Sequence, residues 1–336
     1  MPRSTFSVVI PLLNEQESIP ELYARLTHEL ERMTEGSHGS AFELIFIDDG
    51  STDDTFRLLR ELATVDSRVV AIRFRRRYGK TAALAAGFER ARGTYTITMD
   101  GDLQHNPEDI PRFVEKLEQG YDIVCGWREN RVDNLWLRRI PSRIANRLMR
   151  WLSRVEIDDF GGGFKAYRTS ILQEISLYGG MQRFIPALAS ARGARACQLA
   201  IENVPRRYGN SRYGIARVVP VFFDLLRIHF LLTYLQQPLR LFGTLGLALF
   251  GLGFADCSWL VVQRVVYHAS VADKHGPLLL AGAVFLVMGI QLLMMGLLGE
   301  MLVWYFNQRR EGQPREYAIA EICSASHADM LMESNN

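Results

Sequence analysis

Residues 95–119 read YTITMDGDLQHNPEDIPRFVEKLEQ. A short β-rich run, residues 95–99, passes into an acidic turn, Asp100-Gly101-Asp102-Leu103-Gln104, and then into a helix-periodic stretch. The helix is punctuated at both ends. Asn106 suits an N-cap, Pro107 the first turn, Glu108 and Asp109 the positive helix end, and Gly120 follows the last turn. The same unit recurs on either side. Strands are predicted at 7–12, 43–47, 69–74, 95–99 and 121–125, and helices at 17–33, 53–63, 81–92 and 107–119. Such alternation predicts an α/β fold with a mostly parallel sheet and flanking helices. Ligands of these sheets bind outside the carboxyl ends of the strands.

The predicted strand ends carry a consistent chemistry. Pro11 to Glu15 follow the first strand, Asp48-Asp49-Gly50-Ser51 the second, and Asp100 to Gln104 the fourth. Asp, Gly, Ser and Thr are ordinary turn and cap residues taken singly. Together, Glu15, Asp48, Asp49, Asp100 and Asp102 place several carboxylates on one rim. A cation, or donor groups on a ligand, would relieve their repulsion. The chain has no G-x-G-x-x-G after the first strand, no GxxxxGK[ST] and no serine nucleophile elbow, which disfavours a dinucleotide dehydrogenase, a P-loop enzyme and a serine hydrolase.

Composition bounds the rest. The chain has 336 residues, a formal net charge of +2, 48% apolar and 23% charged residues, values that argue against a disordered chain. No nucleic-acid partner is expected. The four cysteines, Cys125, Cys197, Cys257 and Cys323, are scattered, which excludes a disulfide scaffold or a structural zinc site and suits a reducing compartment. No apolar stretch near the N-terminus resembles a cleaved secretory signal.

Two apolar runs stand near the C-terminus. Residues 241–262 carry one charge, Asp256, and residues 277–298 carry none. About 20 helical residues cross a bilayer core, so the pair predicts a two-helix transmembrane hairpin. Arg227 and Arg240 precede it and Arg309, Arg310 and Arg315 follow, against Arg264 and Lys274 in the connector. This bias puts the N-terminal domain and both termini in the cytoplasm, at an inner, multi-pass membrane location. Asp256 is expected near the far interface. Residues 216–238 read as an amphipathic juxtamembrane segment, because residues 203–240 contain six arginines and one acid, Asp224. Gly243, Gly246, Gly251 and Gly253 are compatible with helix packing and a homo-oligomer. The expected organisation is a catalytic domain over 1–215, the amphipathic segment 216–238, the hairpin 239–306 and a polar tail 307–336.

VVIPLLNE, FIDDGSTD, RYGKTAALAAGF and TMDGDLQHNPEDIP resemble the family 2 glycosyltransferases with a GT-A-type, Rossmann-like fold. GWREN, GGGFKAYR, GMQRFIPALA and PRRYGNSRYG narrow the resemblance to the polyprenyl-phosphate glycosyltransferases, the group of dolichol-phosphate mannosyltransferases and bacterial undecaprenyl-phosphate sugar transferases. It covers about residues 6–306, hairpin included.

The resemblance implies a nucleotide-sugar donor (UDP or GDP), a polyprenyl-phosphate acceptor, inversion at the anomeric carbon, and Mg2+ or Mn2+ as cofactor. Carried over residue by residue, it puts Pro11, Glu15, Asp49, Lys80, Asp100, Gly101 and Asp102 at the donor. Asp102, with Gln104 beside it, is the implied metal ligand. Gly101 is expected to let the backbone approach the ligand. Arg128, Arg138, Ser142, Arg206, Ser211 and Arg212 are implied around the acceptor phosphate. Asp159 joins Asp100 and Asp102 as a catalytic candidate, orienting the sugar or tuning the acceptor. Gly162 stands where relatives commonly have Cys, and the triple glycine 161–163 is expected to loosen that loop. Two alternatives are a family 2 transferase with a non-polyprenyl acceptor and a non-catalytic nucleotide-sugar-binding membrane protein. The chain lacks the QxxRW of processive members, against the first, and its DGDLQ is intact, against the second.

Overall fold

The computed structural model describes residues 6–34, 42–128, 150, 157–175, 177, 180–202, 238–266, 271–308 and 317–324. The chain forms two compact units, residues 1–225 with 315–336, and residues 226–314.

In the first unit β1 (Phe6–Leu12), α1 (Ile19–Thr34), β2 (Phe42–Asp48), α2 (Thr55–Val65), β3 (Val69–Phe74), α3 (Lys80–Arg90), β4 (Tyr95–Thr98), α4 (Ile110–Glu118) and β5 (Ile123–Arg128) alternate. Then come β6 (Lys165–Arg168), α5 (Thr169–Gln173), α6 (Ile185–Ser190), β7 (Ala196–Ile201) and, from the far end of the chain, β8 (Ile319–Cys323). Their sheet has the order β7-β5-β6-β4-β1-β2-β3-β8. Pairing is parallel between β1 and both β2 and β4, between β2 and β3, and between β5 and β7. It is antiparallel where β6 meets β4 and β5, and where β8 meets β3. This is the GT-A-type, mostly parallel sheet with flanking helices.

Val8, Val9 and Ile10 are all fully buried, because β1 is central and covered on both faces. Ile19, Leu22, Leu26 and Leu30 form the buried stripe of α1, and Ile110, Phe113, Val114 and Leu117 that of α4. α3 comes closer to the sheet than a side chain allows, since a Cβ on Gly87 would overlap Val9.

The helix after the acidic turn starts later than its sequence suggests. Pro107–Asp109 is a 3-10 turn and α4 begins at Ile110. The Asn106 side chain does not cap it. Its Oδ1 accepts instead from Arg25 Nη2 at 3.1 Å, and Glu108 takes the rest of that guanidinium. A charge-assisted bond to α1 wins over a local cap. Gly120 does close the helix in the left-handed region, φ +94°. The polar tail contributes a strand, β8, which its composition hid.

The second unit pairs α7 (Pro238–Val265) with α8 (Val271–Gln308). Both are long and apolar enough to cross a bilayer. Their large side chains face outward, Leu247 at 62%, Phe254 at 61% and Leu280 at 68% exposure, which a core helix of a soluble protein would not show. The helices meet through glycine. A Cβ on Gly246 would stand 2.8 Å from the Gly289 carbonyl, and one on Gly253 2.7 Å from that of Gly282. Both glycines are thus used inside this hairpin, which removes them as support for contacts between copies. Gly251 meets nothing within 4 Å. Asp256 turns toward Gly282, and its Oδ2 is buried with no hydrogen-bond partner among the described residues. α8 breaks at His275 (φ −130°, ψ 22°), just before Pro277, whose ring and missing N–H disfavour a continuous helix. The amphipathic segment expected at 216–238 lies outside the described residues except for Pro238.

Gly87→Val forces α3 off β1, and is expected to cost about 1–3 kcal/mol. Gly251→Ala, in open space, is expected not to destabilise and to gain at most about 1 kcal/mol from helix propensity. Thermal unfolding of the detergent-solubilised full chain distinguishes the two.

Candidate donor and sugar site

Parallel pairing sets Leu12 beside Asp48 and Val9 beside Thr98, so β1, β2 and β4 finish on one edge. The loops there are tied together. The backbone N–H of Asn14 donates to Ser51 Oγ at 2.9 Å, that of Glu15 to Thr55 Oγ1 at 3.0 Å, and Asn14 Oδ1 accepts from Thr52 N at 2.9 Å. Ser51, Thr52 and Thr55 are therefore structural ties. Asn14 sits in the left-handed region at φ 55°, which asparagine tolerates.

Asp48 is fully buried. Its Oδ1 accepts from Ser51 N at 2.9 Å, and its Oδ2 lies 3.7 Å from Arg73 Nε. Asp49 is 4% exposed and its carboxylate accepts from the N–H groups of Tyr78 (2.6 Å) and Gly79 (2.9 Å). Burial pushes its carboxyl up, while those two amides and Arg77 pull it down. Asp49 thus fixes loop 75–79, which delivers Lys80. Pro11 and Glu15 are half-buried on the same edge.

Lys80 opens α3, next to Gly79 at φ +96°. A cation at the positive end of a helix breaks the usual charge preference, and no acid offsets it in that turn. Its ammonium instead pairs with the Asp100 carboxylate. Both side chains are about one-third exposed, 36% and 31%, so the pair contributes at most about 1 kcal/mol to stability. Its effect is on charge: it neutralises one carboxylate of the cluster.

In DGDLQH, Gly101, Leu103 and His105 are buried, whereas Asp102 and Gln104 are half-buried. Leu103 adopts φ 59°, a conformation costing about 1–2 kcal/mol. Burying its side chain to 2% exposure gives back about 2 kcal/mol, which holds the turn in place. Gly101 also packs closely within the protein. A Cβ there would overlap Leu12.

Asp159, 4% exposed, accepts from Gly161 N at 3.1 Å. The triple glycine is not a loose loop. A Cβ on Gly162 would stand 2.9 Å from the Gly126 carbonyl, and one on Gly163 would overlap the Asp100 carboxylate. The loop is therefore packed tightly against Asp100. Asp49, Lys80, Asp100 and Asp159 thus lie on one continuous set of contacts through loops 75–80 and 159–165.

Several residues of this site stand inside or beside the quoted motifs without being singled out by them. Lys165 is 3% exposed and its Nζ donates to the Phe160 carbonyl at 3.0 Å. Burial holds its pKa below the ordinary lysine range, against the pull of Cys125, Asp159 and Asp100. β6 opens on Lys165, which pairs with Thr98 at the end of β4 and so stands at the carboxylate edge. Gln182, in the GMQRF stretch, contacts Thr81 Oγ1 at the start of α3. The Cys125 thiol, wholly buried, is pushed up to about 12 and stays protonated, unsuited to act as a nucleophile. Arg128 ends β5. Arg138, Ser142, Arg206, Ser211 and Arg212 lie outside the described residues.

Among the described residues no three His, Cys, Asp or Glu side chains gather closely enough to form a metal cage. The Asp100 to Gln104 turn offers hard carboxylate oxygens, those of Asp100 paired with Lys80 and Asp102 Oδ1 accepting from the Gln104 N–H at 3.3 Å. That set fits a Mg2+ or Mn2+ ion completed by a ligand's phosphates and water, the usual mode for such ions, and not a resident all-protein site.

The sequence matches Glycosyl transferase family 2 over residues 7–176 and the GtrB C-terminal hairpin over residues 237–303. It is 37% identical to a dodecaprenyl-phosphate galacturonate synthase of Rhizobium johnstonii, over 94% of this chain and 92% of the relative. It is 39% identical to an undecaprenyl-phosphate 4-deoxy-4-formamido-L-arabinose transferase of Pseudomonas paraeruginosa, over 97% and 93%. Among solved structures, glucosyl-3-phosphoglycerate synthase from Mycobacterium tuberculosis, in complex with Mn2+, uridine diphosphate and glucosyl-3-phosphoglycerate, superposes with a TM-score of 0.50 at 20% identity, over 66% of this chain and 80% of that one. At that identity the likeness concerns the fold alone.

Asp49→Ala leaves two loop amides without their acceptor and is expected to cost about 1–3 kcal/mol. Asp49→Asn keeps one oxygen and is expected to cost less. Unfolding of both variants beside the wild type checks the order.

Proposed function

The chain belongs to glycosyl transferase family 2, and we propose that it moves a sugar from a nucleoside-diphosphate donor to a polyprenyl phosphate at the inner membrane. The observation that carries this reading is the joining of two features in one chain. An edge of carboxylates is held by Lys80 and two packed loops, and a hairpin of two apolar helices follows. Relatives named for polyprenyl-phosphate sugar transfer match along both. Those two relatives differ in their sugar and share the class of acceptor.

In this reading Pro11, Glu15 and the loop fixed by Asp49 receive the nucleoside. Lys80, Asp100, Gly101 and Asp102 face the diphosphate and sugar. Asp102, with Gln104 and the Asp100 turn, would hold Mg2+ or Mn2+, which supplies Lewis-acid stabilisation to the departing diphosphate. The Mn2+ and uridine diphosphate of the mycobacterial complex agree with such an ion and with a UDP donor.

The acceptor is a phosphate monoester. Its second pKa is about 6, so at neutral pH it is largely a dianion and already nucleophilic. It requires positioning and charge screening more than a base. Arg128, Arg138, Ser142, Arg206, Ser211 and Arg212 are assigned that task, since guanidinium groups bind phosphate oxygens in pairs. The acceptor oxygen bonds to the anomeric carbon as the bond from that carbon to the diphosphate oxygen breaks. One displacement inverts the configuration. Asp159, buried beside the Asp100 loop, orients the sugar.

The chain leaves the sheet domain for the hairpin and returns to it as β8, so two crossings keep the domain on one side of the membrane. The arginine bias assigns that side to the cytoplasm.

The test is incubation of the full-length protein with undecaprenyl phosphate, Mn2+ and a panel of nucleotide sugars, with mass spectrometry of the lipid. A lipid gaining one sugar is expected for one donor. Donor turnover onto a non-lipid acceptor alone would overturn the acceptor assignment. Asp102→Ala is expected to lose turnover while remaining folded and membrane-bound. Arg206→Ala is expected to raise the KM for lipid more than that for nucleotide sugar.

A further inference from the structure

The segment after the second apolar helix ends on the sheet, beside the loop that forms the donor site. Tyr317 is 8% exposed and its ring stacks on Phe74, centroids 5.0 Å apart. Phe74, the last residue of β3, meets Tyr78 edge-on at 5.6 Å. Tyr78 and Gly79 in turn give their N–H groups to Asp49, and Lys80 follows them onto Asp100. A short chain of contacts thus runs from the tail to the carboxylate edge.

The backbone supports the same link. β8 pairs antiparallel with β3, Ile72 opposite Ile322 and Arg73 opposite Glu321, and the register shifts between Arg73 and Phe74. Bulges of this kind re-aim a strand beside a site. Beyond the shift, Arg75 N donates to the Ala318 carbonyl at 3.0 Å, fixing the first residue of the loop. Arg60 holds Glu321 at 2.7 Å. Without β8, β3 would be a bare sheet edge and the Phe74 ring would lose its cover.

We infer that residues 317–323 are a strap that positions loop 75–80 for the nucleotide, with Tyr317 as the positioning residue, so that donor affinity depends on chain beyond the membrane hairpin. This rests on the donor reading above. Tyr317 touches neither donor nor acceptor in this assignment. It acts through Phe74 and Tyr78.

The experiment uses the full-length protein in lipid nanodiscs with the nucleotide sugar the wild type turns over. Tyr317→Ala is expected to raise the donor KM about three- to tenfold, the loss of one aromatic stack, with kcat and the lipid KM unchanged. Tyr317→Phe, which keeps the ring, is expected to restore the wild-type KM. An unchanged donor KM in Tyr317→Ala, or a fall in kcat alone, overturns the strap. Should Tyr317→Ala not fold, hydrogen exchange of the wild type decides. Added UDP is expected to protect residues 75–80 and 317–323 together, and protection of 75–80 alone overturns the inference. An active wild type with an indifferent variant defeats only the strap, whereas a wild type that neither binds UDP nor turns over any nucleotide sugar defeats the donor reading and the strap with it.

Discussion

Like charges held on one edge must be balanced, and the local design of the catalytic domain answers to that requirement. Asp48, Asp49, Asp100 and Asp102 reach the same side of the sheet because β2 and β4 end there, and Asp159 joins them from the loop that leads into antiparallel β6. Each receives a different answer. Asp48 is sealed in with a backbone amide and a distant guanidinium. Asp49 is satisfied by two loop amides. Asp100 takes the Lys80 ammonium, and Lys165 sits buried behind the Asp159 loop. Asp102 is half-buried, and its Oδ1 accepts from the Gln104 N–H at 3.3 Å.

Holding that arrangement requires backbone that ordinary segments avoid. Asn14 and Leu103 are the non-glycine residues in the left-handed region among those described, and each opens a loop at the edge. Gly101, Gly162 and Gly163 stand where a side chain would strike Leu12, the Gly126 carbonyl or Asp100. The strain and the tight glycines are local, while the buried sheet that supports them is regular. This division is typical of a site built on a rigid scaffold. In the hairpin glycine serves another end: Gly246 and Gly253 bring two helices to backbone contact with their leucines and phenylalanines turned outward.

The α/β alternation from residue 6 to 128 was legible because each strand is a short apolar run bounded by polar turns, and the DDGS and DGD turns mark strand ends directly. β6 and β7 were not, since KAYR and ACQLAI mix polar and apolar residues in short pieces. β8 was hidden because an edge strand needs little apolar surface. Arg25 displaced the Asn106 cap through a contact 81 residues away, which no local pattern contains. The glycines of DGD and FGGGF were readable as special positions. What they pack against was not, because Leu12 and Asp100 arrive from other strands. Lys165 lies in the GGGFKAYR stretch, but its burial follows only from the pairing of β6 with β4 and β5.

The central claim is that the carboxylate edge binds a nucleoside diphosphate through a divalent ion. Calorimetric titration of UDP into the full-length protein, with Mn2+ and then with EDTA, tests it most directly. The account predicts saturable binding with Mn2+ and at least about a tenfold weaker affinity in EDTA, because the acidic edge would then meet the diphosphate without the ion's screening. Equal affinity under the two conditions would contradict it.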